Sequence, residues 1–380
     1  MNWFAVVAST IFVVLIGALM IAMPAITPKT TPLGVSVPLQ RAEEPVVRRA
    51  VARFRRGVVV AAVVTVAVTA GLAAIDPVWA IVVPTLLMVV LTGAAYVLTR
   101  RSIQRVKADE GWFDEVPVRL TGSIVPPEQS TAGVPLGWYL GSVVVLAITV
   151  AVGVARYAEL PDPMPIHWDA AGQVDGFAPK SVWSVFGPLM IGGGMIVLFY
   201  AMSLLARRSP SRRMSGMAPE ESRRHAAVTQ HLLLAALGQL LLLVTLLMSV
   251  LSLLAWFPSV QAAMPLAMVL FLFLTALVLA GLVMRYVRAG HRVKEPAPAG
   301  TTAAAAQPRP DAPDDDRYWK AGLFYVNRND PAVLVPKRFG IGWTVNLGHP
   351  GVAVGAIVFT VLIVALGIVL PGFGHLGAGR

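Results

Sequence analysis

The chain of 380 residues contains no cysteine and few charged residues, and both absences restrict what it can be. Without cysteine there are no disulfides, no thiolate metal ligands and no cysteine nucleophile. Only 13% of the residues are charged, about half the fraction that is typical of a soluble domain. The composition therefore argues against a soluble fold.

Long apolar runs take the place of charge: 56% of the residues are hydrophobic and the mean hydropathy is +0.71. A helix needs about 20 apolar residues to cross the hydrocarbon core of a bilayer. The sequence predicts an all-α integral membrane protein of about eight transmembrane helices, over residues 3–25, 57–75, 77–99, 136–157, 182–206, 231–256, 262–286 and 351–372. No basic residue precedes the first run and no small-residue cleavage site follows it, so we expect an uncleaved helix.

The distribution of charge predicts the orientation. The loops at 26–56, 100–135, 207–230 and 287–350 are basic and alternate with the other loops, as the positive-inside rule requires of cytoplasmic loops. Both termini then lie outside. The outer side keeps few charges, namely Arg156, Lys180 and Arg380 of 31 basic residues and Asp76, Glu159, Asp162, Asp169 and Asp175 of 20 acidic ones. The excess of Lys and Arg in cytoplasmic loops accounts for the net charge of +11. The sequence contains no groove-reading motif, so nucleic-acid binding is not predicted.

These spans and loops divide the chain into six parts. Residues 1–135 form a three-span part with two basic cytoplasmic loops, 136–206 a two-span module with an acidic extracytoplasmic hairpin, and 207–294 a two-span part with basic cytoplasmic ends. Pro219 is predicted to begin a helix that continues into the sixth span. The composition of 295–316, rich in Pro and Ala with an acidic end, is typical of a disordered linker. Residues 317–350 form a cytoplasmic module, and 351–380 hold the last span and the tail.

The predicted outer loop at 159–181, ELPDPMPIHWDAAGQVDGFAPKS, is the most informative stretch. Its prolines hold the first part extended. Ile166-His167-Trp168 then leads into a predicted turn at 169–172, and a second turn is predicted at Asp175-Gly176. The pattern predicts a compact hairpin.

Two interpretations of this hairpin stay open. In the first, it binds a cation or a basic or amphipathic ligand, and the candidate binding residues are His167, Trp168, Asp169, Asp175 and Lys180. In the second, the polar and small residues only shape the loop, with Pro161, Pro165, Gly172 and Gly176 as its structural motif. A His-x-Asp pattern without further ligands is weak, so no metal ion or cofactor is predicted. No nucleophile completes a catalytic group outside.

The predicted spans contain no Asp, Glu, Lys or Arg near their middle. Ion-coupled transporters and proton relays usually place an ionisable group there. A transporter or accessory permease subunit is therefore the second hypothesis for function, and a membrane-embedded enzyme is the third.

Segment 317–350 is predicted to be rich in β structure. The runs LFYV and AVLV are separated by a turn-prone stretch at 327–331, and a third run, WTVNL, follows. A segment of about 34 residues buries too little surface to fold alone. We therefore expect it to pack on other cytoplasmic loops or on the membrane surface.

The hairpin sequence resembles the signature of a bacterial family called domain of unknown function 1648, which has Leu-Pro, Pro-x-His, a Gly turn, Asp-Gly and a Lys. The matching residues are Leu160, Pro161, Pro165, His167, Gly172, Asp175, Gly176 and Lys180. The same module begins the immunity and signal protein of the sporulation-delaying toxin system, whose second half has no counterpart here. The resemblance implies a multi-pass protein of a bacterial plasma membrane and offers immunity only as an analogy.

Residues 318–346 resemble a second module, domain of unknown function 5808. The likeness rests on Tyr325, Asn327, Asp330, Pro331, Val335, Pro336, Lys337, Arg338, Gly340, Gly342, Trp343 and Asn346. Leu33-Gly34-Val35 and Val37-Pro38, with Arg41, resemble the cytoplasmic loop that often accompanies the first module. Neither module has an established activity to carry over.

The leading hypothesis is a non-enzymatic membrane protein that senses or resists an extracytoplasmic agent, such as an antimicrobial peptide. Its expected partners are the lipid bilayer, a peptide ligand bound near His167 to Lys180, and a cytoplasmic regulator or second membrane subunit that meets segment 317–350.

Overall fold

The computed structural model describes residues 3–76, 78–114, 133–169, 172–208, 219–292, 314–340 and 342–355, together with 357 and 360. Within these residues, seven helices are long and apolar enough to cross a membrane. They are α1 (Trp3–Ile26), α2 (Pro45–Leu72), α3 (Trp79–Asp109), α4 (Leu136–Ala155), α5 (Val182–Arg208), α6 (Pro219–Trp256) and α7 (Met264–Arg292). The predicted helical membrane fold is confirmed.

The eighth predicted span, 351–372, falls mostly outside the described residues. The structure shows helix at residues 350–355. The side of the membrane that each end faces stays a prediction.

Several helices continue well beyond the apolar runs that predicted them. Helix α2 already begins at Pro45, α3 continues to Asp109, and α6 begins at Pro219 as predicted. Arg, Lys, Glu and Ala favour helix, and the extension of α2 is also amphipathic. Its buried positions are Val47, Ala50, Phe54 and Val58, whereas Arg48, Arg49, Arg53 and Arg56 are exposed. The prediction therefore began α2 too late and ended α3 too early, because it followed hydrophobicity rather than periodicity.

The described helices pack in two groups. Helices α1, α2 and α3 contact one another, as do α4, α5 and α6, while α7 contacts both α6 and α1. Small residues allow close approach between membrane helices; a Cβ at Gly57 of α2 would lie only 2.9 Å from the Cβ of Ala95 of α3. The core of the first group also includes Leu33, Val35 and Phe339, which come from outside the helices.

A two-stranded hairpin connects α4 to α5. Its strands, β1 (Met164–Trp168) and β2 (Val174–Ala178), are antiparallel with an irregular register around His167. We call residues 156–169 and 172–181 the α4–α5 hairpin. The predicted turn at Asp175-Gly176 is wrong, because both residues lie inside β2 and Gly176 faces His167 across the ladder.

Residues 314–340 and 342–346, here called the C-terminal module, contain two short ladders. Strand β3 (Trp319–Lys320) pairs with β4 (Phe324–Tyr325), and β5 (Leu334–Pro336) pairs with β6 (Trp343–Val345). A bridge between Tyr325 and Asn346 joins the two pairs. The three predicted runs each contain a strand, while β3 was not predicted.

Candidate functional site

The α4–α5 hairpin is anchored to the helix ends by apolar side chains. Leu160 and Met164 are 4% and 0% exposed, and they pack with Val185 of α5 and Trp256 of α6. The indole nitrogen of Trp256 donates to the carbonyl oxygen of Val185 at 3.2 Å. The anchor fixes the base of the hairpin against two helices.

A reciprocal cap starts α5 directly after the hairpin. The backbone N–H of Ser184 donates to the Ser181 hydroxyl at 3.1 Å, and the backbone N–H of Ser181 donates to the Ser184 hydroxyl at 2.9 Å. Each serine satisfies a backbone donor that a helix start leaves unpaired. Ser181 and Ser184 therefore determine the direction in which the chain passes from the hairpin into α5.

Two glycines of the sequence motif are required by close contacts. Gly172 has a φ of +79°, and a Cβ there would lie 2.6 Å from Cγ of Pro265 at the start of α7. A Cβ at Gly176 would lie 2.8 Å from the Cβ of His167. The first glycine lets the tip of the hairpin meet α7, and the second leaves space for the imidazole.

The side chains of His167 and Asp175 are hydrogen-bonded to each other on the exposed surface of the hairpin. His167 Nδ1 and Asp175 Oδ1 are 2.5 Å apart, and the side chains are 68% and 48% exposed. Ile166 and Phe177 lie beside them and are 51% and 58% exposed. The hairpin thus exposes a carboxylate, an imidazole and two large apolar side chains.

The other predicted binding residues have contacts within the hairpin. Asp169 shapes the turn, since its Oδ1 accepts from the backbone N–H of Gln173 at 2.8 Å. Lys180 Nζ donates to the carbonyl oxygen of Leu160 at 3.2 Å and lies over the Tyr157 ring. Trp168 packs against the anchor cluster. The structure brings His167 and Asp175 together and places the other three around the base and the turn.

The two prolines of the motif belong to the same framework. Pro161 follows the buried Leu160, and Pro165 is itself buried in β1 opposite Phe177. The described residues contain no group of three His, Asp or Glu side chains that could hold a metal ion.

The C-terminal module is organised around a buried asparagine. Asn346 is 0% exposed. Its Oδ1 accepts from the backbone N–H groups of Asn327 and Gly348, and its Nδ2 donates to the carbonyl oxygens of Asn327 and Asp330. Tyr325 is also buried, and its hydroxyl donates to Asp330 at 2.9 Å. These motif residues hold the module together.

Arg338 binds the module to the rest of the protein. It is 5% exposed, forms ion pairs with Asp315 and Asp316, and lies over the Trp319 ring. Lys107 of α3 pairs with Asp314 and Asp316 at 2.8 and 2.7 Å. Within the described part of the chain, the exposed Lys337 takes part through its backbone N–H, which donates to the carbonyl oxygen of Gly342.

The loop between α1 and α2 receives the module. The Thr31 hydroxyl donates to the carbonyl oxygen of Arg338, and the Gly340 N–H donates to the Thr27 hydroxyl at 2.9 Å. Phe339 inserts between Phe54 of α2 and Tyr96 of α3, at ring distances of 5.8 and 5.0 Å. The expectation that this segment packs on another loop is confirmed by these contacts.

The remaining motif residues shape the chain around this contact. Pro331 follows the Asp330 turn, Pro336 pairs with Trp343 in the β5–β6 ladder, and Gly340 and Gly342 have φ values of +87° and +99°. Most of the second motif therefore serves folding and docking.

Sequence reasoning missed two sets of residues. Asp315 and Asp316 were assigned to the linker, yet both pair with Arg338; the remainder of the predicted linker lies outside the described residues. Ile166 and Phe177 were not named as binding candidates. Two features of the sequence could have identified these residues. The first is the run of three aspartates that precedes the basic motif of the module, and the second is the presence of large apolar residues in two short strands of a polar hairpin.

The fold and these two regions define a multi-pass helical membrane protein with two small β regions at the ends of its helices. Residues 144–192 match the family described as Domain of unknown function (DUF1648), and residues 328–352 match the family described as Family of unknown function (DUF5808). Both predicted resemblances are confirmed. No curated protein and no solved structure gave a significant match to the chain.

Proposed function

We propose that the protein is a non-enzymatic sensor of, or resistance factor against, a cationic amphipathic peptide that meets the α4–α5 hairpin. The observation that carries this proposal is the exposure of Ile166, His167, Asp175 and Phe177 on the two strands of the hairpin. A carboxylate attracts a cationic peptide and steers its approach. Exposed aromatic and aliphatic side chains provide the apolar contact that such a peptide needs.

The charge of the hairpin supports a basic ligand. Residues 156–181 contain two basic side chains, Arg156 and Lys180, and the four carboxylates of Glu159, Asp162, Asp169 and Asp175. Lys180 is engaged by backbone carbonyl oxygens, and Arg156 by Glu159. Asp175 is shared only with His167 among the described residues.

The contacts of the hairpin also suggest how binding is transmitted. Met164 touches the helix ends through Val185 and Trp256, and Gly172 meets Pro265 of α7. We assume that these helices have two arrangements. A ligand of the hairpin shifts the population from one arrangement to the other only if it binds one arrangement more tightly. In this proposal the C-terminal module responds to that shift and holds or releases a cytoplasmic regulator or second membrane subunit. The proposal places the protein in a bacterial plasma membrane.

The proposal is tested in a strain that lacks the gene, by measuring killing with a panel of cationic antimicrobial peptides. Native protein is compared with an Asp175→Asn, Phe177→Gln variant and with a matched Ile75→Gln, Asp76→Asn control. The control removes one exposed apolar side chain and one carboxylate from the connection between α2 and α3, where Ile75 is 82% exposed. We expect the control to restore resistance and the hairpin variant to fail, at equal protein level in the membrane. Equal rescue by both variants, or no sensitisation on deletion, would contradict the proposal.

A further inference from the structure

A basic pocket lies where α2 begins and α3 ends, far along the chain from the α4–α5 hairpin. It has a volume of about 590 Å³. Its lining residues are Glu44, Pro45, Val46, Arg49, Arg53, Arg56, Val106, Glu110 and Trp112. The three arginines are spaced four and three residues apart on α2, so they share one face of the helix.

The three arginines of this pocket form no ion pair with the described residues. Among the described residues, none of the three has a carboxylate within ion-pair distance. Arg49 donates to the carbonyl oxygen of Pro45, and Arg53 makes a long contact of 3.4 Å with the Ser102 hydroxyl. All three side chains are exposed. Their guanidinium groups are available to a ligand.

The two carboxylates of the pocket are already engaged. Arg41 donates to Glu44 at 2.8 Å and lies 3.9 Å from Glu110. The indole nitrogen of Trp112 also donates to Glu110, at 2.8 Å. The unneutralised charge of the pocket is therefore positive. The start of α2 adds to it, since its N-cap residue Glu44 makes no capping hydrogen bond with its side chain.

The position of the arginines along α2 identifies the source of the anion. The apolar part of the helix begins at Val58, and each helical residue rises about 1.5 Å. Arg56 and Arg53 then lie about 3 and 8 Å beyond the edge of the hydrocarbon. The headgroup layer of one leaflet is roughly 5–8 Å thick. On this placement the backbone of Arg53 and Arg56 lies within the headgroup layer, where the lipid phosphates are found, and Arg49 follows about one turn further from the hydrocarbon.

We propose that this pocket binds the phosphate of an anionic phospholipid headgroup. Guanidinium groups recognise phosphate through paired N–H donors. Basic pockets between membrane helices on the cytoplasmic side are suited to anionic headgroups, and the positive-inside pattern predicts that side here. The proposal is independent of what the hairpin binds.

The test measures lipid retention on the full-length protein by native mass spectrometry, with phosphatidylglycerol and phosphatidylcholine offered together. An Arg49→Gln, Arg53→Gln, Arg56→Gln variant is compared with an Arg48→Gln, Arg101→Gln, Arg105→Gln control. The control removes the same charge from exposed arginines of α2 and α3 that do not line the pocket. We expect the selectivity for phosphatidylglycerol to fall on the order of tenfold in the pocket variant and less than about twofold in the control.

Two further experiments test whether the guanidinium fork is needed and whether the bound phosphate belongs to a lipid or is free in solution. An Arg49→Lys, Arg53→Lys, Arg56→Lys variant keeps the charge without the planar fork, so we expect intermediate selectivity. Inorganic phosphate is added to protein in phosphatidylcholine nanodiscs, and thermal unfolding is followed for all variants. Similar unfolding temperatures show that each variant is folded. An equal loss of selectivity in the pocket variant and its control would overturn the proposal, as would stabilisation by inorganic phosphate without any lipid preference.

Discussion

The α4–α5 hairpin and the C-terminal module are both small β regions at helix ends, but they use charge in opposite ways. In the module, the Arg338 side chain is 6% exposed and its partners Asp315 and Asp316 are 28% and 16% exposed. In the hairpin, the paired His167 and Asp175 side chains are 68% and 48% exposed. The module encloses its ion pairs, whereas the hairpin displays its pair.

The two regions also differ in what holds them in place. The hairpin is anchored chiefly by apolar residues, with Leu160 and Met164 against Trp256, and its exposed His167–Asp175 pair lies outside this anchor cluster. The module is bound to the α1–α2 loop and α3 by polar contacts of Arg338, Asp316 and Thr27, with Phe339 as its main apolar contact. A polar group that is not needed for folding is the better candidate for recognition. This difference is why the binding proposal rests on the hairpin.

The largest effect is expected at Arg338. Its replacement in Arg338→Met leaves Asp315 and Asp316 largely buried without their arginine, a type of change that costs about 3–5 kcal/mol. Hydrogen exchange of residues 314–340 should become much faster. Lys337→Met is the matched control, because Lys337 is the adjacent exposed cation. If both variants exchange at the native rate, Arg338 does not hold the module.

The next largest effect is expected at Asn346, which tests the interior of the module rather than its docking. Asn346→Ala leaves four backbone groups of Asn327, Asp330 and Gly348 without their partner. We expect a loss of about 2–3 kcal/mol, seen as faster proteolysis between residues 319 and 346. Asn329→Ala serves as the control because that side chain is exposed. Native resistance in Asn346→Ala would show that the network is dispensable.

The sequence was sufficient for the parts of the fold that depend on local composition. Apolar runs located the seven described spans, and Pro219 marked the start of α6. The turn at 169–172 and three of the strands followed from turn residues and β-branched runs. Each of these features depends on residues that are close together in the chain.

Contacts between distant segments could not be predicted in the same way. The Gly340 N–H meets the Thr27 hydroxyl across 313 positions, and no periodicity encodes such a partner. At Gly34, distant residues exclude a side chain, since a Cβ there would lie 2.8 Å from the Gly322 carbonyl oxygen and 2.7 Å from the Tyr96 hydroxyl. At the hairpin, the pairing of His167 with Asp175 depended on the register of β1 and β2, which the predicted second turn had misplaced.

A smaller effect is expected at Gly172, where the hairpin meets α7. Gly172→Ala combines the cost of a positive φ with a clash against Pro265, for a total of about 2 kcal/mol. Gly342→Ala in the module is the control for the cost of a positive φ alone. Gly342 has a φ of +99°, and no described atom lies within 4 Å of the position that its Cβ would take. Thermal unfolding in detergent should show the larger loss for Gly172→Ala. Equal losses would indicate that the Pro265 contact is unimportant.

The smallest effect on stability is expected at the exposed His167–Asp175 pair. Its size decides whether the hairpin differs from the C-terminal module in how it uses polar side chains. His167→Ala and Asp175→Asn should each change the free energy of unfolding by less than about 1 kcal/mol, because a polar contact at this exposure is weakened by water and by the entropy of its side chains. A double-mutant cycle between them, followed by thermal unfolding, should give a coupling energy of the same small size. A loss near the value expected for Arg338→Met would mean that the pair is a structural clamp, and the hairpin would then resemble the module. A small loss together with sensitisation to peptides would show that the exposed pair acts in recognition, since a side chain that contributes little to folding has changed function without changing the fold.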